Sequence, residues 1–356
     1  TYKESRRVMV RKTVSGIALL ALAGLTACDS YLLHIAKGQN DLLKRSRPIP
    51  EVIQDPTTAV ETAEKLALVQ QAAAFAEYWG LDVGNSYKTY AQLDREATVW
   101  TVYRAEKLAL NAVVNCWPIA GCVPYQGYFN EAKAEAFFLQ ARQKGYDAYM
   151  GGVDAYATLG WFPDPIASPA LDRSETSLVE LVIHESVHNT IYRPGAAEFN
   201  EALANTIAFA LVKEFWAQRG VDSGALEAFF SERDNARALF HELIGEAKQE
   251  LEEIYAATEV APRLRLQAKA EALQRLKQRY QAKRDAFGGY NYDGFFAREL
   301  NNAHLVSIGT YENARPELEA VLYGRFGGNV KRFLRAMEEV AASSEDWRFA
   351  LARARP

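Results

Sequence analysis

Basic residues are scarce where a nucleic-acid partner would need them. No cationic block occurs beyond the N-terminus, net charge is −4 and the pI is about 5.9. Phosphate backbones are bound by concentrated positive surface, so nucleic acid is not expected as a partner. Internal repeats and low-complexity tracts are missing, which leaves no sign of a solenoid or array. No apolar run is comfortably long enough to span a membrane; the strongest, Val14 to Leu25, is too short. Cysteine is limited to three residues and histidine to five, so the placement of each carries information.

The N-terminus accounts for one cysteine. Lys3, Arg6, Arg7, Arg11 and Lys12 precede the Val14 to Leu25 run, which ends Leu25-Thr26-Ala27-Cys28. A cationic region, a short apolar segment and small residues before a cysteine look like a bacterial lipoprotein signal. Residues 1–27 are therefore expected to be a signal peptide, Cys28 the lipidated residue and 28–50 a tether that docks the domain near the membrane. The expected location is the periplasmic side of the envelope, and Asp29 resembles an inner-membrane retention signal. An odd cysteine count in an exported chain calls for a separate fate for one thiol, which lipidation supplies. Cys116 and Cys122 stand six apart around Pro118 and Gly121. A disulfide between them is expected in an oxidising compartment, with two buried free thiols as the alternative.

Two of the five histidines fall together in His184-Glu185-Ser186-Val187-His188. On a helix, residues four apart share a face, so both imidazoles can point at one ion. Glu185 lies one residue round, where it can polarise a bound water. Ligands, an open position and a nearby base are what hydrolysis at a zinc ion requires. Leu178, Val179, Leu181, Val182 and Val187 make the surrounding helix a buried one, capped by Ser174 or Thr176. Arg193-Pro194-Gly195 reads as a turn, and a second helical run from about Ala197 carries Asn200-Glu201-Ala202-Leu203-Ala204-Asn205. Two antiparallel helices on a short turn can bring Glu201 in as third ligand, with Glu198 close enough to compete.

The rest reads as a mainly α-helical α+β chain whose 49% apolar content can fill one large domain or two modest ones. Asp55-Pro56-Thr57 opens a helix through Tyr78. Residues 97–115 have strand character, as do 123–129, and a helix follows over 130–144. The extended stretch 152–162 is either a strand that pairs with substrate backbone or an ordinary core strand. Residues 225–284 read as a charged helical hairpin turning at Pro262, with His241 on its surface. Helices through Leu322 and over 330–342 close the chain. His34 reads as structural. Negative charge developing on a carbonyl oxygen needs a donor, and Tyr311, Asn302 and His304 are the local candidates.

Taken in order, several of these pieces resemble the putative aminopeptidase family of Gram-negative bacterial lipoproteins. They are the lipobox, the Gly38-Gln39 to Arg47-Pro48-Ile49 arm, the Cys116 to Phe129 segment, Ala155-Tyr156-Ala157-Thr158-Leu159-Gly160-Trp161-Phe162, the two metal-type helices and the stretch from Leu300 to Tyr311. The resemblance implies a zincin-like, specifically gluzincin-like, peptidase over residues 51–356. In it His184, His188 and Glu201 hold Zn2+, Glu185 activates water, and peptides are the substrate. Asn205, one turn after Glu201, falls where gluzincins often place an Asp that hydrogen-bonds a ligand histidine; Asn can accept such a bond but carries no charge.

Two departures from better-known relatives stand out. Twelve residues separate His188 from Glu201, fewer than in thermolysin-like proteins, and Pro194 occupies the place of the third histidine of metzincins. No motif for gripping a substrate amino terminus is present, so the exopeptidase expectation comes from the resemblance alone. A metallo-amidase acting on cell-wall material and a non-catalytic envelope scaffold are the alternatives.

Overall fold

The computed structural model describes residues 28–117, 121–155, 163–308 and 314–356. The expected signal peptide, the 156–162 part of the extended stretch and Tyr311 lie outside them. Helices dominate and small sheets accompany them. In chain order the first elements are α1 (Cys28–Arg45), β1 (Ser46–Pro48), α2 (Ile49–Gln54), α3 (Val60–Tyr78), β2 (Thr89–Ala91) and β3 (Val99–Ala105). Then come β4 (Asn115–Trp117), β5 (Gly121–Val123), β6 (Tyr125–Tyr128), α4 (Glu131–Gln143), β7 (Asp147–Val153) and β8 (Ile166–Ala167). The remainder is α5 (Glu175–Thr190), α6 (Ala197–Ala217), α7 (Ser223–Ala256), α8 (Pro262–Lys283), α9 (Asp293–Phe296), α10 (Asn302–Ser307), α11 (Arg315–Gly324), α12 (Val330–Ala342) and α13 (Trp347–Arg353).

The main core forms where α3, α5 and α6 meet. Leu66, Val69, Ala72 and Phe75 recur at helical spacing on α3 and are buried against α5 and α6, with Phe75 edge-on to Phe215 at 5.3 Å. Helix α6 is apolar nearly all round: Phe199, Ala202, Leu203, Ala204, Ile207, Ala208, Leu211, Val212 and Phe215 are all buried. A helix with a single apolar stripe faces one neighbour, whereas this one is wrapped on several sides. Helices α11 to α13 supply the outer wrap through Leu318, Leu322, Phe333 and Trp347.

Among the described residues three small sheets flank the helices. β3 is central in the order β6-β3-β7 and antiparallel to both neighbours. β2 lies between antiparallel β1 and parallel β8. β4 and β5 form a ribbon closed by a Cys116–Cys122 disulfide. The strand expected over 97–115 ends at Ala105; residues 106–114 run as a loop that touches the sheet again through an Ala105–Ala112 bridge. The helix expected from Asp55 begins at Val60, because Asp55 is occupied in a local turn, accepting from the Thr57 N–H at 3.0 Å.

Residues 28–50, expected as a tether, are folded onto the rest of the described chain. β1 pairs Ser46 with Ala91, and Gln39, Leu42 and Ile49 are buried. Gly38 fits only without a side chain, since a Cβ there would lie 2.3 Å from the Phe129 ring. The long hairpin is α7 and α8. Pro262 is the first residue of α8 rather than the turn itself, a position where its missing N–H costs nothing. The hairpin's apolar face carries Phe240, Leu243, Leu251, Leu276 and Tyr280, and Lys269 is buried with them, paired to Asp147.

Candidate metal centre

Helix α5 starts at a Ser174 cap, whose hydroxyl accepts from the Ser177 N–H at 3.3 Å. Its apolar positions fix the helix in the core and leave His184 and His188 on one face toward α6. The turn read at Arg193-Pro194-Gly195 returns the chain, and a side chain not singled out for it, Asn200, holds it. The buried Asn200 side chain accepts from the Arg193 N–H and donates to the Arg193 carbonyl, both at 2.8 Å. The Arg193 guanidinium in turn donates to the Val340 carbonyl at 2.9 Å and to that of Glu345. Gly195 takes a φ of 77°, which a side chain would resist.

With the turn held in this way, Glu201 reaches both rings. Its two oxygens lie 3.5 Å from His184 Nε2 and 3.4 Å from His188 Nε2, and the two nitrogens are 3.1 Å apart. Ligand atoms bonded at about 2.0–2.1 Å in a tetrahedron stand about 3.3 Å from one another. The two nitrogens, and each nitrogen with its nearer Glu201 oxygen, stand close to that length, and with one donor atom from each residue all three lie within 4.8 Å of one another, so these residues could hold a metal ion. Glu198 is not among them: it is paired with Arg348 at 2.8 Å.

The electrostatics of the triad follow from its packing. Burial would push the Glu201 carboxyl up, but hydrogen bonds from His184 and His188 and their charge outweigh it, holding the group well below the usual carboxylate range. For His184, burial works downward, while the hydrogen bond to Glu201 and the fields of Glu185, Glu201 and Glu180 carry the net shift upward. A proton on His184 and a metal ion compete for the same lone pair. His188 Nδ1 is buried with no hydrogen-bond partner among the described residues. Asn205, one turn beyond Glu201, makes no hydrogen bond to either ring.

Glu185 stands outside the ligand set and lines a small cavity with Tyr87, Thr98, Ile166 and Leu181. Tyr87 holds a φ of 60°, an uncommon conformation for a bulky side chain, and its N–H donates to the Asp164 carbonyl at 2.9 Å. Burial first, then the charge of Glu185, keeps its phenol protonated well above the ordinary range. One turn before His184, Glu180 forms a two-pronged pair with Arg233 at 2.5 and 3.1 Å. Farther along α6 an open cavity of about 500 Å³ is lined by Phe209, Lys213, Asp234 and Arg315. Its cations are already matched, Lys213 to Glu227 at 2.6 Å and Arg315 to Asp234 at 3.1 Å.

Two expected oxyanion donors belong elsewhere. The buried Asn302 accepts from the Tyr255 hydroxyl at 2.7 Å and donates to the carbonyls of Glu106 and Ala109 at 2.9 and 3.0 Å. His304 closes a capping box with Asn301 and lies 4.4 Å from the Tyr149 ring. Both are spent on joining the 106–114 loop and β7 to the long hairpin. Tyr311, the third, lies outside the described residues.

In this mainly helical chain two histidines and a glutamate converge on one point, a cluster that could hold a metal ion. The chain belongs to the "Putative aminopeptidase" family, whose model matches residues 30–351. No curated protein and no solved structure matches it.

Proposed function

We propose that this protein is a zinc-dependent peptidase in which His184, His188 and Glu201 hold the ion and Glu185 is the general base. The observation that carries the reading is the convergence of three donor residues on one point, with Glu185 adjacent but outside the set. Two imidazoles and one carboxylate leaving a fourth position free is a ligand set that suits catalytic zinc. When bound, zinc supplies a Lewis acid that polarises a carbonyl and acidifies water. Glu185 takes a proton from the attacking water and passes it to the leaving amine. Helix α5 keeps Glu185 in fixed relation to the ligands, so the base needs no rearrangement to act. Family membership supports a peptide as substrate.

The test is zinc content by elemental mass spectrometry on the full chain and on Glu201→Ala, followed by a peptide-library screen. One zinc per chain, lost in the variant, with cleavage that Glu185→Gln removes while keeping zinc, is the expected result. Full activity in zinc-loaded Glu185→Gln would sink the mechanism. Peptides with blocked amino termini separate exopeptidase from endopeptidase action.

We also propose that Cys28 carries a lipid anchor facing the periplasm, as the 1–28 sequence supports. Among the described residues no helix is long and apolar enough to cross a membrane. Incorporation of a clickable palmitate, lost in Cys28→Ser, is expected; labelling that survives this change would refute it.

A further inference from the structure

Hydrolysis at a carbonyl places negative charge on an oxygen, and a donor that meets this charge must itself reach the substrate. Exposure therefore sorts the tyrosines around the metal centre. Tyr87 lies beside Glu185 but is 6% exposed, sealed beneath the base and out of a substrate's reach. Tyr192 is 43% exposed. Helix α5 stops at Ile191, whose extended φ and ψ of −130° and 114° send consecutive side chains to opposite sides. Ile191 goes into the core, 3% exposed, and Tyr192 comes out. Its ring meets that of His188 edge-on, with centroids 6.5 Å apart and planes at 77°. The hydroxyl has no hydrogen-bond partner among the described residues. A large side chain held beside a metal-ligand ring, open to solvent and with an uncommitted donor, has no evident structural use.

We infer that Tyr192 is a catalytic residue that donates a hydrogen bond to the substrate carbonyl oxygen as it becomes an oxyanion, its ring also forming one wall of the substrate cleft. This assignment rests on the peptidase reading above. The phenol lends a hydrogen bond as charge builds and recovers its solvent contact when product leaves. Its contribution falls in the transition state, so removing the hydroxyl lowers kcat more than it raises KM.

The experiment compares zinc-loaded full-length wild type, Tyr192→Phe and Tyr192→Ala. Cleavage of a library-selected peptide is measured together with calorimetric affinity for a phosphinic dipeptide, a tetrahedral anionic mimic. Tyr192→Phe is expected to keep one zinc and a near-normal KM while losing about 10²-fold in kcat, the scale for loss of one oxyanion donor. It should bind the phosphinic dipeptide weaker by a similar factor. Tyr192→Ala is expected to add a rise in KM through loss of the wall. A Tyr192→Phe enzyme within twofold of wild type in kcat and in phosphinate affinity would overturn the assignment. A wild type that holds zinc but neither cleaves peptides nor binds the phosphinic dipeptide would instead bring down the peptidase reading, and the assignment with it.

Discussion

Two helical hairpins of this molecule share a plan and differ in what they bury. In α5–α6 both helices lie in the core, and several of the polar side chains they carry inward bond one another or local backbone, while His188 Nδ1 and Thr206 Oγ1 are buried with no partner among the described residues. Ser186 donates to the Val182 carbonyl and Thr190 to that of Ser186, each at 2.6 Å, while the histidines and Glu201 face each other. In α7–α8 most charges stay outside, with Arg275 and Arg279 on Glu250 at 2.5 and 3.1 Å and Lys283 on Glu242 at 2.7 Å, and the buried cation Lys269 is matched by Asp147. Solvated pairs of that kind are worth about 0–1 kcal/mol each. A carboxylate brought against a buried and a half-buried imidazole pays desolvation, and a divalent ion would compensate it. Charge density alone would have pointed to the longer hairpin; burial points to the shorter one.

The contrast can be broken most severely at Glu185. Glu185→Gln is expected to lower peptidase turnover by about 10²–10⁴-fold with zinc retained, and a kinetic assay beside metal analysis decides it. Next comes packing. Phe215→Ala in α6 should cost about 3–5 kcal/mol in denaturant unfolding, because the surrounding helices cannot collapse onto the void.

The third effect is one of pH, on the hairpin side. Burial first, then the charge of Arg298, lowers His304 from 6.5 to about 4. The unfolded state then binds the extra proton between those values. The contribution is fully present above pH 6.5, is lost as pH falls toward 4, and amounts to up to about 3 kcal/mol. His304→Gln keeps a side chain able to complete the capping box, and its stability should fall less than that of wild type between pH 7 and 5 in thermal melts. Equal slopes would show that His304 titrates normally.

Asn200→Ala comes next. It strands the Arg193 N–H and carbonyl, which should cost about 2–3 kcal/mol and weaken zinc binding about 10-fold or more, read by competition with a chromophoric chelator. Arg279→Ala on the long hairpin should change stability by no more than about 1 kcal/mol in urea unfolding. A larger loss there would erase the distinction between the hairpins.

How much of this could be read from the chain depended on the range of each interaction. The histidine pair is local: four residues on a helix set its geometry, and apolar neighbours announce a buried element. Glu201 was legible in the same way, although its choice over Glu198 depended on Arg348, which is distant in sequence. Asn302 and His304 looked available for chemistry because their partners, Tyr255, Tyr149 and the carbonyls near Glu106, lie far away along the chain. The 28–50 segment read as an arm because its amphipathic helix is a local feature, while the Ser46–Ala91 pairing that holds it is not. No pattern of residue types signals a tyrosine at positive φ, so Tyr87 was invisible. Asn200 was visible as part of a motif, but its grip on Arg193 was not.

The short connection between His188 and Glu201 also governs which changes in chain length the protein can accept. A helix advances about 100° per residue. One residue inserted between Ala197 and Glu201 would swing the carboxylate off the histidines and turn the buried face of α6 beyond it by the same angle. The same insertion at residues 257–261, the bend of the long hairpin, would only lengthen an exposed loop. Related chains should therefore vary freely in length at the second bend and keep the twelve-residue interval of the first.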